Sequence, residues 1–335
     1  MSAATTNGGA SPATLARADL YRTMRTIRRF EEQIVILVNS NEIAGVTHEY
    51  IGQEAVATGV CAALRDDDVI TSTHRGHGHV IAKGADVARM MAELLGRTTG
   101  LNRARGGSMH IADVSLGIYG ANGIVAAGAP IAAGAAWAGV QAGSDRVAVC
   151  FFGDGAVNQG VLHETMNMAG IWRLPVLFVC ENNGYAVSFA QEDATAGSLV
   201  ERAAAYGMPS VAVDGMDVEA VATAAAEAVS HARAGGGPSF LECRTYRFVG
   251  HHTAEATMGL GYRSDEEIAG WRERDPLLVL GARMEAGEIE AIDASVESSL
   301  ESALAFARES PRPEVSTARD HVYASGPVPR EGVAV

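Results

Sequence analysis

Two polar clusters, each directly after an apolar run, could together bind a metal ion and a diphosphate. Gly153-Asp154-Gly155 follows the apolar run 147–152, and Asn182-Asn183 follows the run 176–180. Carboxylate and amide oxygens are hard ligands of the kind that Mg²⁺ takes together with phosphate oxygens and water. A Gly-Asp-Gly triplet alone is more often an ordinary turn, but the second polar cluster makes the combination specific. We therefore predict that Asp154 and Asn183 bind a metal ion.

The backbone around Asp154 also suits a diphosphate. Gly153 and Gly155 allow the backbone to approach a ligand closely and to turn sharply. The N–H groups of Gly155 and Ala156 are expected at the start of a helix, where anionic phosphate is favoured. The sequence thus predicts diphosphate contacts at Gly153, Asp154, Gly155 and Ala156.

These residues need a sheet to bring them together. The two apolar runs have the length and the β-branched and aromatic content of buried strands. The segment between them has apolar residues at broadly helical spacing and ends at Leu174-Pro175. In an open parallel sheet, ligands bind at the carboxyl ends of the strands. Alternating helix and strand patterns continue along the chain, so we predict an α/β fold with a doubly wound, mostly parallel sheet.

The same periodicities predict the other elements. Further strands are expected at 69–72, 211–213 and 239–245. Helices are expected at 17–39, 55–64, 86–95, 128–140, 199–206, 218–233 and 285–308. We expect a single domain at 17–313, a disordered tail at 1–16 and an irregular tail at 314–335.

Composition limits the possible functions. The 335 residues are 47% hydrophobic, which is enough for one large core. A net charge of −14 argues against a nucleic-acid partner. No run of 18 apolar residues occurs, so no membrane span is expected. The first sixteen residues lack the basic region and apolar core of a secretory signal. The four cysteines form no Cys-x-x-Cys motif, which is typical of core thiols in a reducing cytoplasm.

Histidine and arginine are concentrated just after the strand expected at 69–72. His74, His77 and His79 form a His-x-x-His-x-His pattern that could bind zinc, but no acidic or cysteine partner stands nearby in sequence. Arg75 could instead bind phosphate oxygens in a bidentate manner. We favour the second interpretation, an anion site.

At this point the sequence resembles a known family. GDGAVNQG followed by ENNGYAVS resembles the thiamine-diphosphate motif of the α subunits of E1 components in 2-oxo acid dehydrogenase complexes. Acetoin dehydrogenase α subunits belong to the same group. The resemblance extends from about Tyr21 to about Pro313. It implies a thiamine-diphosphate-binding fold whose diphosphate and Mg²⁺ half lies in this chain.

The resemblance implies roles for individual residues, most of which their spacing does not single out. The positions that match the cofactor contacts of the family are His74, Arg75, Gly123, Ile124, Val125, His251 and, through its carbonyl as a third metal ligand, Tyr185. The stretch 123–125 would hold the aminopyrimidine ring. His48 and His251 match histidines near the substrate and the reacting centre, so both are predicted to be catalytic.

The resemblance also implies partners. The family needs a glutamate on a separate pyrimidine-binding domain, for which this chain has no room. A β subunit would therefore complete the site in an α2β2 heterotetramer, and a lipoyl acyltransferase (E2) would accept the acyl group. His252 stands where mammalian pyruvate enzymes carry a regulatory serine, so phosphorylation control is not expected there. The loop 253–262 is predicted to be mobile until cofactor binds.

The implied reaction is oxidative decarboxylation of pyruvate or a related 2-oxo acid, or oxidative cleavage of acetoin. The His-Gly loop resembles acetoin-type and bacterial pyruvate-type subunits, so we favour a small acetyl-forming substrate. A branched-chain 2-oxo acid enzyme and a non-catalytic subunit that keeps the fold remain alternatives. Transketolase-like enzymes and decarboxylases usually carry both cofactor domains in a longer chain, and no P-loop motif occurs here.

Overall fold

A computed structural model describes residues 16–255 and 261–320, and it contains the predicted sheet. Five parallel strands pair in the order β1-β2-β3-β7-β6, and β4 and β5 form a separate antiparallel hairpin. The strands of the large sheet are β1 (Val69–Thr71), β2 (Ala148–Gly153), β3 (Val176–Asn182), β6 (Ser210–Asp214) and β7 (Ser239–Arg244), and the hairpin consists of β4 (Tyr185–Ala186) and β5 (Phe189–Ala190).

Helices connect these strands. They are α1 (Arg17–Asn39), α2 (Glu54–Ala62), α3 (His77–Ala82), α4 (Val87–Leu94), α5 (Gly128–Gln141), α6 (Gly160–Trp172), α7 (Gln191–Ala194), α8 (Leu199–Ala204), α9 (Val218–Arg233), α10 (Asp265–Arg272), α11 (Pro276–Gly281) and α12 (Ala286–Glu309). The bounds predicted for α1 and α9 agree with the structure, and the helices predicted at 55–64, 86–95, 128–140, 199–206 and 285–308 differ by one or two residues at their ends.

The sheet is covered on both faces, as a doubly wound fold requires. Side chains alternate along β2, so that Val149 and Phe151 belong to one core and Cys150 and Phe152 to the other. The first core packs against helices that include α1, α2, α4, α9 and α12, and the second against α5, α6 and α8. Both faces are therefore dry, which explains the nearly continuous apolar runs of the central strands. The predicted α/β class is confirmed.

Two local predictions are wrong. The helix after β2 does not begin at Gly155 and Ala156, because Asp154–Ala156 is a single turn of 3-10 helix and α6 begins only at Gly160. The His-Gly segment after β1, expected to be a loop, forms the short helix α3 at its C-terminal half. The diphosphate proposed near Asp154 would therefore meet the N–H groups of a turn and not those of a long helix.

Some predictions fall on residues outside the described part of the chain. The structure does not describe 1–15 or 321–335, where the two tails are expected, nor 256–260 within the loop expected to be mobile. The single domain at 17–313 stays a prediction. All four cysteines are buried and free of disulfides, as the sequence indicates. Among the described helices, none is both long and apolar enough to cross a membrane.

Candidate active site

The residues predicted to form a site all line one cavity of about 370 Å³ at the carboxyl ends of β1, β2 and β3. They are His48, His74, Arg75, Gly123, Ile124, Val125, Gly153, Asp154, Gly155, Ala156, Asn183, Tyr185 and His251. The sheet brings them together because parallel strands all end at the same edge. Their individual roles stay predictions.

The surroundings of the Asp154 carboxylate are suited to a bound cation. Its side chain is 2% exposed. Within the described part of the chain, its Oδ2 is buried and has no hydrogen-bond partner. Burial without a compensating partner raises the pKa of this carboxyl to about 6. A divalent cation would satisfy Oδ2 and hold the carboxylate in its charged form, so the residue fits the proposed metal role.

The side-chain amide of Asn183 is held in an orientation that leaves its Oδ1 free to bind a ligand. Its Nδ2 donates to Gln53 Oε1 at 2.8 Å, which fixes the orientation of the amide. Its Oδ1 accepts only a 3.2 Å bond from the Tyr185 N–H, so a lone pair remains for a ligand. Gln53 is the N-cap residue of α2 and is 1% exposed. The contact between Gln53 and Asn183, which are 130 residues apart, is visible only in three dimensions.

Glycine stands on each side of Asp154 for a different structural reason. A Cβ at Gly155 would lie 2.8 Å from the Cβ of Ala186, so this glycine is required by packing against the β4–β5 hairpin. A Cβ at Gly153 would have a single neighbour within 4 Å, the Glu181 carbonyl oxygen at 4.0 Å, and would project into the cavity. Packing therefore requires glycine at 155, whereas Gly153 leaves space beside Asp154 for a ligand, and the prediction that both glycines allow close approach stays a prediction.

Arg75 holds two backbone carbonyl groups in place beside the cavity. Its side chain is buried, and it donates to the Glu49 carbonyl oxygen at 2.7 Å and to the His251 carbonyl oxygen at 2.9 Å. Burial and the nearby Arg247 guanidinium lower its pKa to about 10. Arg247 is 1% exposed, and its Nη1 has no hydrogen-bond partner among the described residues. Two buried guanidinium groups make the local potential positive, which favours an anionic ligand.

Three histidines from distant parts of the chain form a cluster next to Arg75. One ligand atom from each of His48, His74 and His251 lies within 4.8 Å of the others. Burial and the neighbouring positive groups lower the pKa values of these imidazoles to about 3, 4 and 2. The imidazoles are therefore neutral at physiological pH. The positive potential from the guanidinium groups disfavours a cation there, so the cluster is better suited to hydrogen bonding than to metal binding.

The zinc alternative for the His-x-x-His-x-His pattern is wrong, because its three side chains point to different places. His77 Nδ1 lies 2.9 Å from Glu31 Oε2, and His79 Nε2 lies 3.0 Å from Glu181 Oε1. Only His74 joins the cavity. His77 and His79 lie two residues apart on the short helix α3, a spacing that directs their side chains to different sides, and His74 precedes that helix.

The buried position of His48 predicts a pH-dependent stability. An unfolded histidine takes up a proton near pH 6.5, whereas folded His48 stays neutral down to about pH 3. The unfolded chain therefore binds one more proton in this range, and the free energy of unfolding falls by about 1.4 kcal/mol per pH unit as the pH drops below 6.5. His48→Gln should remove this part of the slope, so that chemical denaturation at pH 7 and pH 5 differs by about 2 kcal/mol less than in the wild type.

The exposed His110 offers a matched control in His110→Gln. Denaturation curves at several pH values would compare both variants with the wild type. Equal pH slopes for wild type and His48→Gln would contradict the inferred burial of a neutral imidazole.

The segment 123–125 forms the mouth of the cavity. Ile124 is 71% exposed and Val125 is 47% exposed. The Ile124 N–H donates to Asn122 Oδ1 at 2.8 Å, which shapes the turn. Apolar side chains that stand open at the mouth of a cavity are suited to contact with a ligand ring or with a second polypeptide.

Sequence reasoning missed part of the cavity lining. The additional lining residues include Gln53, Ser72, Met109, Phe151, Gln159 and Glu181. Glu181 stands directly before the Asn-Asn pair, so its place at the end of β3 was available as a signal. Met109 comes from a loop whose approach to the sheet edge no local pattern indicates.

The chain is similar to known proteins over most of its length. The family model described as dehydrogenase E1 component matches residues 22–316. The α subunit of acetoin:2,6-dichlorophenolindophenol oxidoreductase from Bacillus subtilis is 47% identical over 91% of this chain and 93% of its own length. The corresponding Cupriavidus necator subunit is 46% identical over 91% of this chain and 93% of its own length. The pyruvate dehydrogenase E1 component α subunit of Rhizobium meliloti is 42% identical over 88% of this chain and 86% of its own length.

Proposed function

The chain belongs to the dehydrogenase E1 component family as an α-type subunit, and from that premise we propose that its cavity binds the diphosphate of thiamine diphosphate together with Mg²⁺. The family implies the thiamine cofactor. The observation that carries the metal part of the proposal is the buried, unpartnered Oδ2 of Asp154. Asn183 through Oδ1 and Tyr185 through its carbonyl oxygen would complete the protein ligands. Oxygen ligands in this small number are what Mg²⁺ takes when phosphate and water supply the rest.

The diphosphate would lie between the metal ligands and the positive groups. Gly153 leaves room for it, and the turn at Gly155 and Ala156 offers N–H groups. Arg75 and Arg247 supply the compensating charge. His74 lines the same cavity as Arg75.

When bound, thiamine diphosphate supplies a nucleophilic carbon and an electron sink. The chain contributes neutral imidazoles at His48 and His251, whose rings stand 4.9 Å apart by their centroids. Neutral imidazole can donate one hydrogen bond and accept another, so these two residues would hold a proton or a polar atom of the substrate. The buried surroundings strengthen such hydrogen bonds by excluding water.

A β subunit is implied by the α-subunit naming of the relatives. We propose that it covers the exposed mouth at Ile124 and Val125 in an α2β2 assembly. A lipoyl acyltransferase would then take the acyl group. A cytoplasmic location remains a prediction from the sequence.

Acetoin is the substrate that we favour. Two relatives named for acetoin oxidation are 47% and 46% identical to this chain, whereas pyruvate dehydrogenase α subunits from Rhizobium meliloti and Zymomonas mobilis are 42% and 43% identical. Both substrates would yield an acetyl group. Pyruvate therefore stays the second candidate, and branched-chain 2-oxo acids are not favoured.

A direct assay separates these candidates. The chain would be co-expressed with its β subunit, and reduction of 2,6-dichlorophenolindophenol would be measured with thiamine diphosphate and Mg²⁺. Acetoin, pyruvate and a branched-chain 2-oxo acid would be offered separately. We expect the highest kcat/KM with acetoin. A folded assembly that binds the cofactor but oxidises none of the three would contradict the substrate proposal, and one that binds no cofactor would contradict the whole proposal.

A further inference from the structure

A second buried polar cluster lies under the cavity and contains none of the residues assigned above. The Tyr50 hydroxyl donates to Oε1 of Glu181, and His79 Nε2 lies 3.0 Å from the same oxygen. On its other side, His79 Nδ1 lies 2.7 Å from Ser72 Oγ. All four side chains are at most 3% exposed. The cluster joins the ends of β1 and β3 through α3.

The two oxygens of Glu181 are in different situations. Both donors reach Oε1, and within the described residues no donor reaches Oε2. Glu181 nevertheless lines the cavity. Among the described residues Oε2 is not one of the buried atoms without a partner, so it is open to the cavity and available to a donor that enters with the ligand.

The carboxylate cannot easily turn to use both oxygens on the protein. The His79 ring stacks on Phe151 with centroids 3.9 Å apart, and the edge of the Tyr50 ring packs on Gly78, where a Cβ would lie 2.3 Å from Tyr50 Cδ1. Packing therefore holds the Tyr50 hydroxyl and His79 Nε2 in place, and their two hydrogen bonds hold Oε1 of Glu181. Oε2 is thereby the oxygen left for the cavity that Glu181 lines.

We propose that Glu181 is a further ligand-contacting residue, whose Oε2 accepts a hydrogen bond from a donor group of the bound ligand. Tyr50 and His79 are positioning residues that act through Oε1. The inference rests on the proposed function for the identity of the ligand. Two sources of the donor share this chemistry, a water molecule bound to Mg²⁺ and the hydroxyl group of a 2-hydroxyketone such as acetoin. A 2-oxo acid carboxylate has no such donor.

Glu181→Gln tests the proposal with little disturbance. The amide oxygen can keep the bonds from Tyr50 and His79, while the NH2 group replaces Oε2 and can no longer accept. Glu242→Gln is the matched control, since Glu242 is 4% exposed on the neighbouring strand β7 and pairs with Asn182 instead. Both variants would be prepared in the assembly with the β subunit.

Two measurements distinguish the sources of the donor. Calorimetric titration gives the affinities for Mg²⁺ and thiamine diphosphate, and dye reduction gives kcat/KM for acetoin and for pyruvate. If a metal-bound water is the donor, Glu181→Gln should weaken Mg²⁺ binding by about tenfold or more. If the substrate hydroxyl is the donor, it should lower kcat/KM for acetoin by about tenfold or more and leave pyruvate within about twofold. Tyr50→Phe should show the same ligand-selective loss to a smaller degree. A general structural defect would instead weaken the binding of all ligands alike.

The result that would overturn the proposal is Glu181→Gln behaving like Glu242→Gln in both measurements. Equal losses in all four quantities, with a lowered melting temperature, would also overturn it, because they would indicate a purely structural carboxylate. A wild-type assembly that fails to bind thiamine diphosphate would instead contradict the proposed function itself.

Discussion

Asp154→Ala should abolish the retention of Mg²⁺ and thiamine diphosphate while the chain stays folded. The substitution removes the one carboxylate among the proposed metal ligands, and the cavity is open in front of it. Loss of residues that merely support metal ligands typically costs 10–100-fold, so loss of a ligand should lower activity by about a hundredfold or more. Calorimetric titration with Mg²⁺ and thiamine diphosphate, together with dye reduction by the α and β subunits, measures the effect.

In the metal-free protein, Asp154→Ala should raise stability and not lower it. The pKa of Asp154 rises from 3.8 to about 6 on folding, so the folded chain binds more protons than the unfolded chain in this range. Stability therefore falls as the pH rises from about 4 to 6 and stays low above it, by about 3 kcal/mol in total. Asp154→Ala removes this loss. Without metal, the variant should equal or exceed the wild type in melting temperature at pH 8.

Asp214→Ala serves as the control for both measurements. Asp214 ends β6 at the same edge of the sheet, but it is largely exposed and pairs with Arg274. The variant should bind the cofactor normally. Normal binding by Asp154→Ala would refute the metal assignment, and unfolding of the metal-free variant would show that Asp154 has a structural role.

Arg28→Met should lower the free energy of unfolding by about 3–5 kcal/mol, because it leaves a buried carboxylate without its cation. Arg28 in α1 pairs with Glu54, which is fully buried, and with Asp275. Burial raises the pKa of Glu54, and the Arg28 guanidinium opposes that rise. Glu54 also accepts the Gly52 N–H and begins α2 next to Gln53. Denaturant titration at pH 7 measures the change.

The neighbouring Arg29→Met is the matched control. Arg29 pairs with Glu297, whose side chain is 47% exposed, and such surface pairs contribute about 1 kcal/mol or less. Adding Glu54→Gln to Arg28→Met should recover part of the lost stability, since the buried negative charge is then gone. A loss for Arg28→Met no larger than that for Arg29→Met would contradict the account of a buried ion pair.

The sequence alone indicated the fold class and the proposed metal ligands because both depend on local patterns. Apolar runs of strand length and amphipathic stripes repeat over a few residues, so the bounds of α1 and α9 follow from periodicity. Asp154 and Asn183 each stand just after such a run, and a parallel sheet brings such positions to one edge. The family resemblance added His48 and His251, which no spacing links to one another.

Only the tertiary structure decided which buried polar groups meet, because such pairs lie far apart in sequence. Tyr50 and Glu181 are separated by 131 residues, and Arg75 and His251 by 176. No periodicity records these distances, since packing of whole helices against the sheet determines them. The same packing forms α3, which is too short and glycine-containing for its sequence to predict. Local patterns thus fix where the strands end, and long-range packing fixes which side chains face the cavity there.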